Sequence, residues 1–384
     1  MKIDHIEVIT LRFEYENGYI YAGGRCSARV TTLVRVHTDT GDVGLGSGYS
    51  HPGLLHLIIE RQLAPLLLGE DPTDVERLWE MMYQVTRWYG RKGAAVSALG
   101  ALDTAFWDLR GKNQDKPVWS LLGGDRTACP AYASGLLWSD VADLKQEALR
   151  HRQRGFRRAK MRLGRDPELD VAAVRAVHGI LGDDNVLVDG SMRYSVDTAR
   201  QLADVLAECK VLWFEEPFEP EDIDSYAALR DGCPVPVAAG ENEFGFQGFR
   251  ELIRAGAVDI VQPDASRCGG ISEVRRVAEL AKTAGLRVAP HTWSDAVTIT
   301  ANAHVVASID HGLTVEMDQT GNPFVEQLLV EPPEVRDGQL TLSSAPGLGI
   351  ELNQSTIDRY RLADPLEIPD GLYSDMVFGR SFLN

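Results

Sequence analysis

From about residue 130 onward, eight short apolar runs recur, most of them ending in a polar or ionisable residue and joined by helical segments. In order they are AYASGLL, RRAKMRL, VLVDGS, LWFEEP, PVAAGEN, DIVQPDAS, RVAPHTW and LTVEMD. Between them stand amphipathic stretches such as VADLKQEALRHRQRG and ISEVRRVAELAKTAG. Repeated strand–helix units of this size build a parallel sheet, and eight of them predict a (β/α)8 barrel, a modified TIM barrel. The rival is a doubly wound open sheet, which usually carries a Gly-rich phosphate turn after its first strand. No such turn follows AYASGLL.

The remaining chain divides around this block. Residues 1–125 read as an α+β unit, 126–325 as the barrel, and 326–384 as a segment that leaves the barrel pattern. In the first part, TTLVRVHTDTG and DVGLGSGY form a predicted hairpin turning at Asp39–Gly41. GAAVSALGALDTAFWDLRGK reads as a small-residue amphipathic helix ending near Gly111, with Arg110 and Lys112 suited to its C-terminal dipole. LLGGDRTACP is a connector. In the tail, DGQLTLSSAPGLGIELN predicts a short hairpin followed by a Gly- and Pro-rich turn, and the tail is expected to return and pack on the N-terminal unit, completing an α+β capping domain.

At 384 residues the chain exceeds one ordinary domain. A net charge of −17 argues against a nucleic-acid surface. No run approaches the roughly 20 apolar residues of a membrane span, and MKIDHIEVITLRF alternates like a strand with no signal-peptide core. The expected location is therefore the cytoplasm. The five cysteines are scattered and form no CxxC pair, so no disulfide framework or zinc–thiolate site is indicated.

Chemistry in a barrel gathers at the C-terminal ends of the strands. The second predicted strand offers Lys160 and Arg162, the third Asp189, the fourth Glu215 and Glu216, and the fifth Glu241. The sixth ends in Asp264, the seventh in His291, and the eighth in Glu316 and Asp318. A single acid after a strand is commonly a helix N-cap. Three on successive strands at matching positions repel strongly unless a cation lies among them. Asp189, Glu215 and Glu241 make an oxygen-only set, which suits Mg²⁺ or Mn²⁺ rather than zinc. Glu216 should face away from Glu215. No HxH or HExxH occurs.

Asp264 ends the strand before His291, so the two side chains can meet. A carboxylate on one imidazole nitrogen sets the tautomer and raises the basicity of the other, which makes a general base. Lys160 and Arg162 are two apart on a strand and share a face. They should stand across the barrel from the base, with the metal between, while Ala159, Met161 and Leu163 form an apolar row behind them.

The ordered set Lys-x-Arg, Asp, FEEP, GEN, QPDASRCGG, APHTW and VEMD, with the APGLGIEL tail, resembles the enolase superfamily, specifically its mandelate racemase group. The resemblance implies Mg²⁺ held by Asp189, Glu215 and Glu241, and His291 with Asp264 as the acid–base dyad. It implies that Glu316 gives or shares a proton with the intermediate oxygen, and so is protonated or strongly coupled. It also implies a small-molecule carboxylate substrate and a homo-oligomer, from dimer to octamer. Use of a Lys or His base with Mg²⁺ is the known pattern of such sites. Two positions depart from it. Arg162 stands where the group usually has a second lysine, and Ser191 stands where Asn is common.

Arginine stays charged at ordinary pH, so it is a poor base and a good bidentate grip on a carboxylate. One good base then remains. That favours a sugar-acid dehydratase: His291 abstracts the proton α to the carboxylate, the β-hydroxyl is eliminated, and a 2-keto-3-deoxy acid results. The alternative is a racemase or epimerase of a 2-hydroxy or amino acid, with Lys160 as second base. A third reading is a non-catalytic carboxylate-binding relative; the intact Asp264, His291 and Glu316 argue against it. Capping-domain loops are expected to close over the substrate. These are EYENGYIYAGGR and GSGYSHP, which offer Tyr19, Tyr21, Arg25, Tyr49 and His51.

Overall fold

The computed structural model describes residues 1–21 and 24–364. The chain begins with an antiparallel sheet of β1 (Ile3–Tyr21), β2 (Gly24–Thr38) and β3 (Val43–Gly48). The hairpin between β2 and β3 turns where expected, with Gly41 at φ 88°, a left-handed conformation that glycine adopts without strain. EYENGYIYAGGR is not a simple loop. Its described part extends β1 and β2 as a two-stranded ribbon, with a break in register between Glu14 and Tyr19.

Eight parallel strands follow: β4 (Ala128–Ser134), β5 (Arg158–Arg162), β6 (Val186–Asp189), β7 (Phe214–Glu215), β8 (Val237–Ala239), β9 (Ile260–Val261), β10 (Arg287–Val288) and β11 (Val315–Asp318). Each pairs with the next up to β10, Val288 bridges to Gly312 just ahead of β11, and β11 pairs with β4. The sheet is a closed barrel, and the open-sheet alternative is excluded. Tyr132, Leu187, Trp213, Ala238, Ile260 and Ala289 pack together in its interior. The charged strand ends therefore rest on a solid apolar floor.

The helix Ala94–Asn113 differs from its expected amphipathic form. Ala95 through Leu109 are all buried, so it has no solvent face there. It is pressed between two backbones. A Cβ on Gly46 would lie 1.9 Å from the Ala101 carbonyl, and one on Gly100 would lie 2.5 Å from the Ala265 carbonyl. Glycine and alanine allow this closeness. The helix thus seats the capping sheet directly against the segment that follows Asp264.

The tail returns to the N-terminal unit through its Gly- and Pro-rich turn, where Gly347 bridges to Pro117 and the Leu348 N–H donates to Asp108 Oδ1 at 2.8 Å. Its hairpin, β12 (Val335–Arg336) and β13 (Gln339–Thr341), pairs antiparallel with the start of β4 in the barrel, not with the N-terminal unit. The chain reaches the capping sheet only later. Leu11 bridges to Arg361, and Arg361 Nη2 donates to Glu7 at 2.9 Å.

Candidate active site

Strand β5 alternates as its sequence demands. Ala159, Met161 and Leu163 enter the main core, while Lys160 and Arg162 are buried on the inward face. Lys160 Nζ donates to Glu215 Oε1 at 2.5 Å and lies 2.8 Å from Glu316 Oε1 and 3.9 Å from Asp189 Oδ2. Arg162 Nη1 lies 2.6 Å from Asp189 Oδ2. Burial and Arg162 push the Lys160 ammonium down. Glu215, Glu316 and Asp189 outweigh them and hold it above the ordinary lysine range. Two adjacent buried cations are tolerated because anions surround them.

Asp189, Glu215 and Glu241 end β6, β7 and the turn after β8. Each presents one carboxylate oxygen, and these oxygens lie within 4.8 Å of one another. Burial, with Asp189, Glu241 and Glu316 nearby, pushes the Glu215 carboxyl up to about 7 in spite of Lys160. Glu241 Oε2 is buried and accepts no hydrogen bond from the described residues. Mutually repelling carboxylates with an unused buried oxygen fit a divalent cation, and three oxygen donors suit Mg²⁺ or Mn²⁺. Trp213 Nε1 donates to Glu215 Oε2 at 2.8 Å, so the barrel floor holds this carboxylate in place. Ser191 occupies the left-handed region at φ 53°, and its backbone N–H donates to Asp189 Oδ1 at 2.7 Å. Glu216, at φ 32°, turns away as expected and accepts from Gly240 N and Asn242 Nδ2.

Opposite the two cations, His291 Nδ1 lies 2.8 Å from Asp264 Oδ2. Its Nε2 lies 3.6 Å from Glu241 Oε2 and 4.0 Å from Glu316 Oε2. Asp264 is fixed by Ser266, whose N–H and hydroxyl both donate to Oδ1. Burial pushes the His291 imidazole down, but Glu241, Asp264 and Glu316 bring it up to about 9. Of the two states expected for Glu316, protonated or strongly coupled, the second is found. Burial pushes its carboxyl up, yet Lys160, His291 and Arg162 overcome that and hold it at about 2, so it is ionised. The Thr292 N–H also donates to it at 2.8 Å.

Several side chains that build this site were not singled out in the sequence. Asn302 Nδ2 donates to the His291 carbonyl, and its Oδ1 accepts from Ala265 N, clipping together the turns that carry the dyad. Asp295 accepts from Thr31 and Ser47 of the capping sheet. Arg29 reaches from β2 to Asp318 at 2.6 Å and donates to the Trp293 carbonyl. Ser134 pairs in register with Lys160 and Asp318, and its buried hydroxyl has no hydrogen-bond partner among the described residues; neither has the buried side-chain amide of Gln262. These contacts join residues far apart in the chain, and no local pattern marks them.

The capping residues separate into two groups. Tyr49 is buried, with its ring 6.4 Å from that of His291 and the Arg267 guanidinium 5.3 Å from its centroid. His51 is half-buried two residues on, at the start of the helix Pro52–His56. Tyr19 and Arg25 instead line a groove of about 660 Å³ with Tyr15, Trp138 and Thr320, and none of the eight charged site residues lines it. The side chain of Tyr21 lies outside the described residues.

A capped barrel with three acids, a His–Asp pair and opposed cations at its mouth defines a class of enzymes that stabilise carboxylate-derived anions. Residues 15–123 match the mandelate racemase / muconate lactonizing enzyme N-terminal domain, and residues 143–356 match the enolase C-terminal domain-like family. The chain belongs to the mandelate racemase group of the enolase superfamily. It is 35% identical over 379 residues to D-galactarolactone cycloisomerase of Agrobacterium fabrum, covering 95% of this chain and 100% of that one. It is 32% identical to arabinonate dehydratase of Saccharolobus solfataricus, over 85% of this chain and 89% of that one. The crystal structure of L-talarate dehydratase from a Polaromonas species, complexed with Mg and L-glucarate, superposes with a TM-score of 0.85 at 29% identity, covering 94% and 97% of the two chains. Among the described residues no helix is long and apolar enough to cross a membrane.

Proposed function

We propose that this protein is a Mg²⁺-dependent sugar-acid dehydratase that eliminates a β-hydroxyl after removing the proton α to a carboxylate. The observation that carries this reading is the asymmetry of the mouth. One dyad, His291 with Asp264, faces the acidic triad from one side, and two cations, Lys160 and Arg162, face it from the other.

The substrate carboxylate is gripped by Arg162 and neutralised by Lys160. Asp189, Glu215 and Glu241 would hold a divalent cation, which would supply further positive charge at the site and weaken the hold of Glu241 on the His291 proton. His291 Nε2 takes the α-proton, and the C–H electrons form an enediolate whose charge develops toward Lys160 and Arg162. The electrons then return, the Cβ–O bond breaks, and His291 gives its proton to the departing hydroxyl, which leaves as water. The enol product tautomerises to a 2-keto-3-deoxy acid. Asp264 keeps the ring oriented throughout. Lys160, hydrogen-bonded to Glu215 and held above its ordinary range, is ill-suited to the second base that a racemase needs.

A second reading is supported by the 35% identity to a lactone cycloisomerase across that protein's whole length. There the leaving β-oxygen belongs to the substrate's own ring, so the same elimination opens the ring without loss of water. Incubation with Mg²⁺ and a panel of aldonates, aldarates and their lactones, with 2-keto product followed by mass spectrometry, separates the readings. Loss of water supports the dehydratase, and an isomeric keto acid supports the cycloisomerase. Full turnover in excess EDTA, or α-proton exchange with no keto product from any substrate, overturns both.

A further inference from the structure

We infer that Trp293 is a positioning residue that holds Arg162 on the substrate carboxylate, and that Arg29 of the capping sheet holds Trp293 in turn. The inference rests on the carboxylate-gripping role given above to Arg162.

Trp293 follows His291 by two residues and is buried. Two guanidinium groups lie over its ring, Arg29 with Cζ 4.5 Å from the centroid and Arg162 with Cζ 4.9 Å from it. Cations this close to an indole are attracted by its ring electrons, most strongly where water is excluded. Both guanidiniums are buried. Each is anchored at its far side, Arg29 on Asp318 Oδ2 at 2.6 Å and Arg162 on Asp189 Oδ2 at 2.6 Å. Arg29 also donates to the Trp293 backbone carbonyl at 3.3 Å, so it fixes the backbone as well as the ring. Asp318 is itself held by the Thr320 N–H and hydroxyl and by Asn322.

The consequence follows from the length of the arginine side chain. Its rotatable stem is steered at the tip only by what the guanidinium touches. The Asp189 contact pulls Arg162 toward the acidic triad, and a substrate carboxylate must compete with that contact. The indole face gives the guanidinium a second surface on which it keeps its plane while it exchanges one carboxylate for another. Because Arg29 belongs to β2 and Trp293 to the turn after β10, seating of the capping sheet on the barrel is linked to the aim of Arg162.

A double-mutant cycle tests this by calorimetric binding of tartronate in the presence of MgCl₂ to the full-length protein. Tartronate is a small α-hydroxy diacid that has no β-carbon from which to eliminate. Trp293→Leu is expected to weaken binding about 10-fold or more, and Trp293→Phe, which restores a ring face, to recover most of the loss. Arg162→Met alone should weaken binding strongly. In the Arg162→Met background Trp293→Leu should then add nothing, because residues acting through one another are not additive. Equal losses from Trp293→Leu in both backgrounds would show a merely structural role and overturn the inference. So would unchanged binding by Trp293→Leu, if thermal unfolding shows that variant folded. If the parent protein itself binds no tartronate, or Arg162→Met binds it as well as the parent, the carboxylate-gripping reading falls instead, which is a distinguishable result.

Discussion

Two of the buried histidines, His291 and His304, are driven in opposite directions by their surroundings. At the barrel mouth, His291 is brought up to about 9 by the carboxylates of Glu241, Asp264 and Glu316 against the downward push of burial. On the helix Ala296–Ser308, His304 accepts from the Trp119 N–H at Nδ1 and lies 3.1 Å from the Leu348 carbonyl at Nε2. Burial pushes it down to about 4, and only the Leu348 carbonyl opposes this. Burial alone makes a histidine a neutral structural joint. Burial among carboxylates makes it a proton carrier. What separates a working histidine from a bracing one is therefore the charge around it, not its depth.

The contrast breaks most sharply under substitution. His291→Asn should lower elimination and α-proton exchange by at least ~10²-fold while leaving the thermal midpoint near that of the parent. His304→Asn should do the reverse, lowering the midpoint and sparing turnover per folded molecule. Steady-state rates and calorimetric melting of both variants check this. If His291→Asn keeps the parent's rate, the dyad is not the base.

Arg162→Lys probes the other side of the mouth. It exchanges a fixed fork for a titratable amine, and the looser grip should raise KM by about 10-fold, on the scale of one charge-assisted hydrogen bond. It should also open slow exchange of the proton on the opposite face. Proton exchange in D₂O, followed by NMR on both C2 epimers, reads this directly. Equal exchange of both epimers by the unaltered protein would mean two working bases, and the racemase reading would prevail.

His304 sets a pH window for stability. Its folded value lies below the ordinary histidine value, so its full contribution is present above pH ~6.5. As pH falls from there to about 4, the unfolded chain takes up a proton that the folded chain refuses, and stability is lost. The whole effect is about 3 kcal/mol. His304→Gln cannot titrate, so its unfolding free energy should fall less between pH 6.5 and 4.5 than the parent's. A parallel decline in the two proteins would assign the acid sensitivity elsewhere.

The smallest effects belong to the cap. Tyr49→Phe removes a hydroxyl from a ring beside His291 and should change the ranking of substrates by several-fold, about the worth of one hydrogen bond. Tyr19→Phe, in the groove apart from the charged cluster, should change it less. Metal affinity should be the same in both. Larger selectivity changes at Tyr19 would place substrate discrimination in the ribbon rather than in the loop.

The barrel and its charged rim were readable because they rest on local features. Apolar runs alternate with helices at a regular period, and a side chain two residues from another on a strand shares its face, so Lys160, Arg162 and the strand-end acids declare their direction. The helix Ala94–Asn113 reads as amphipathic in the sequence and is covered on every side in the structure, because small residues carry little periodic contrast and only the backbones pressed against it show which sides are covered. The tail hairpin is legible in the sequence, but its pairing with β4 is not, since a hairpin pattern says nothing about which sheet edge is open to it.

The sequence by itself determined the eight strand–helix units and the strand ends that carry charge, because each is written within a few residues. Tertiary structure alone decided the protonation of Glu316, since three cations from β5 and from the turn after β10 must be summed at one carboxylate. It alone decided that Tyr49 meets the dyad while Tyr19 lines a separate groove. It alone recruited Arg29, Trp293 and Asn302, because their contacts cross the chain at separations from 10 to 289 residues. Electrostatic fields and side-chain reach act through space, and distance in space is set only when the capping sheet is seated on the closed barrel.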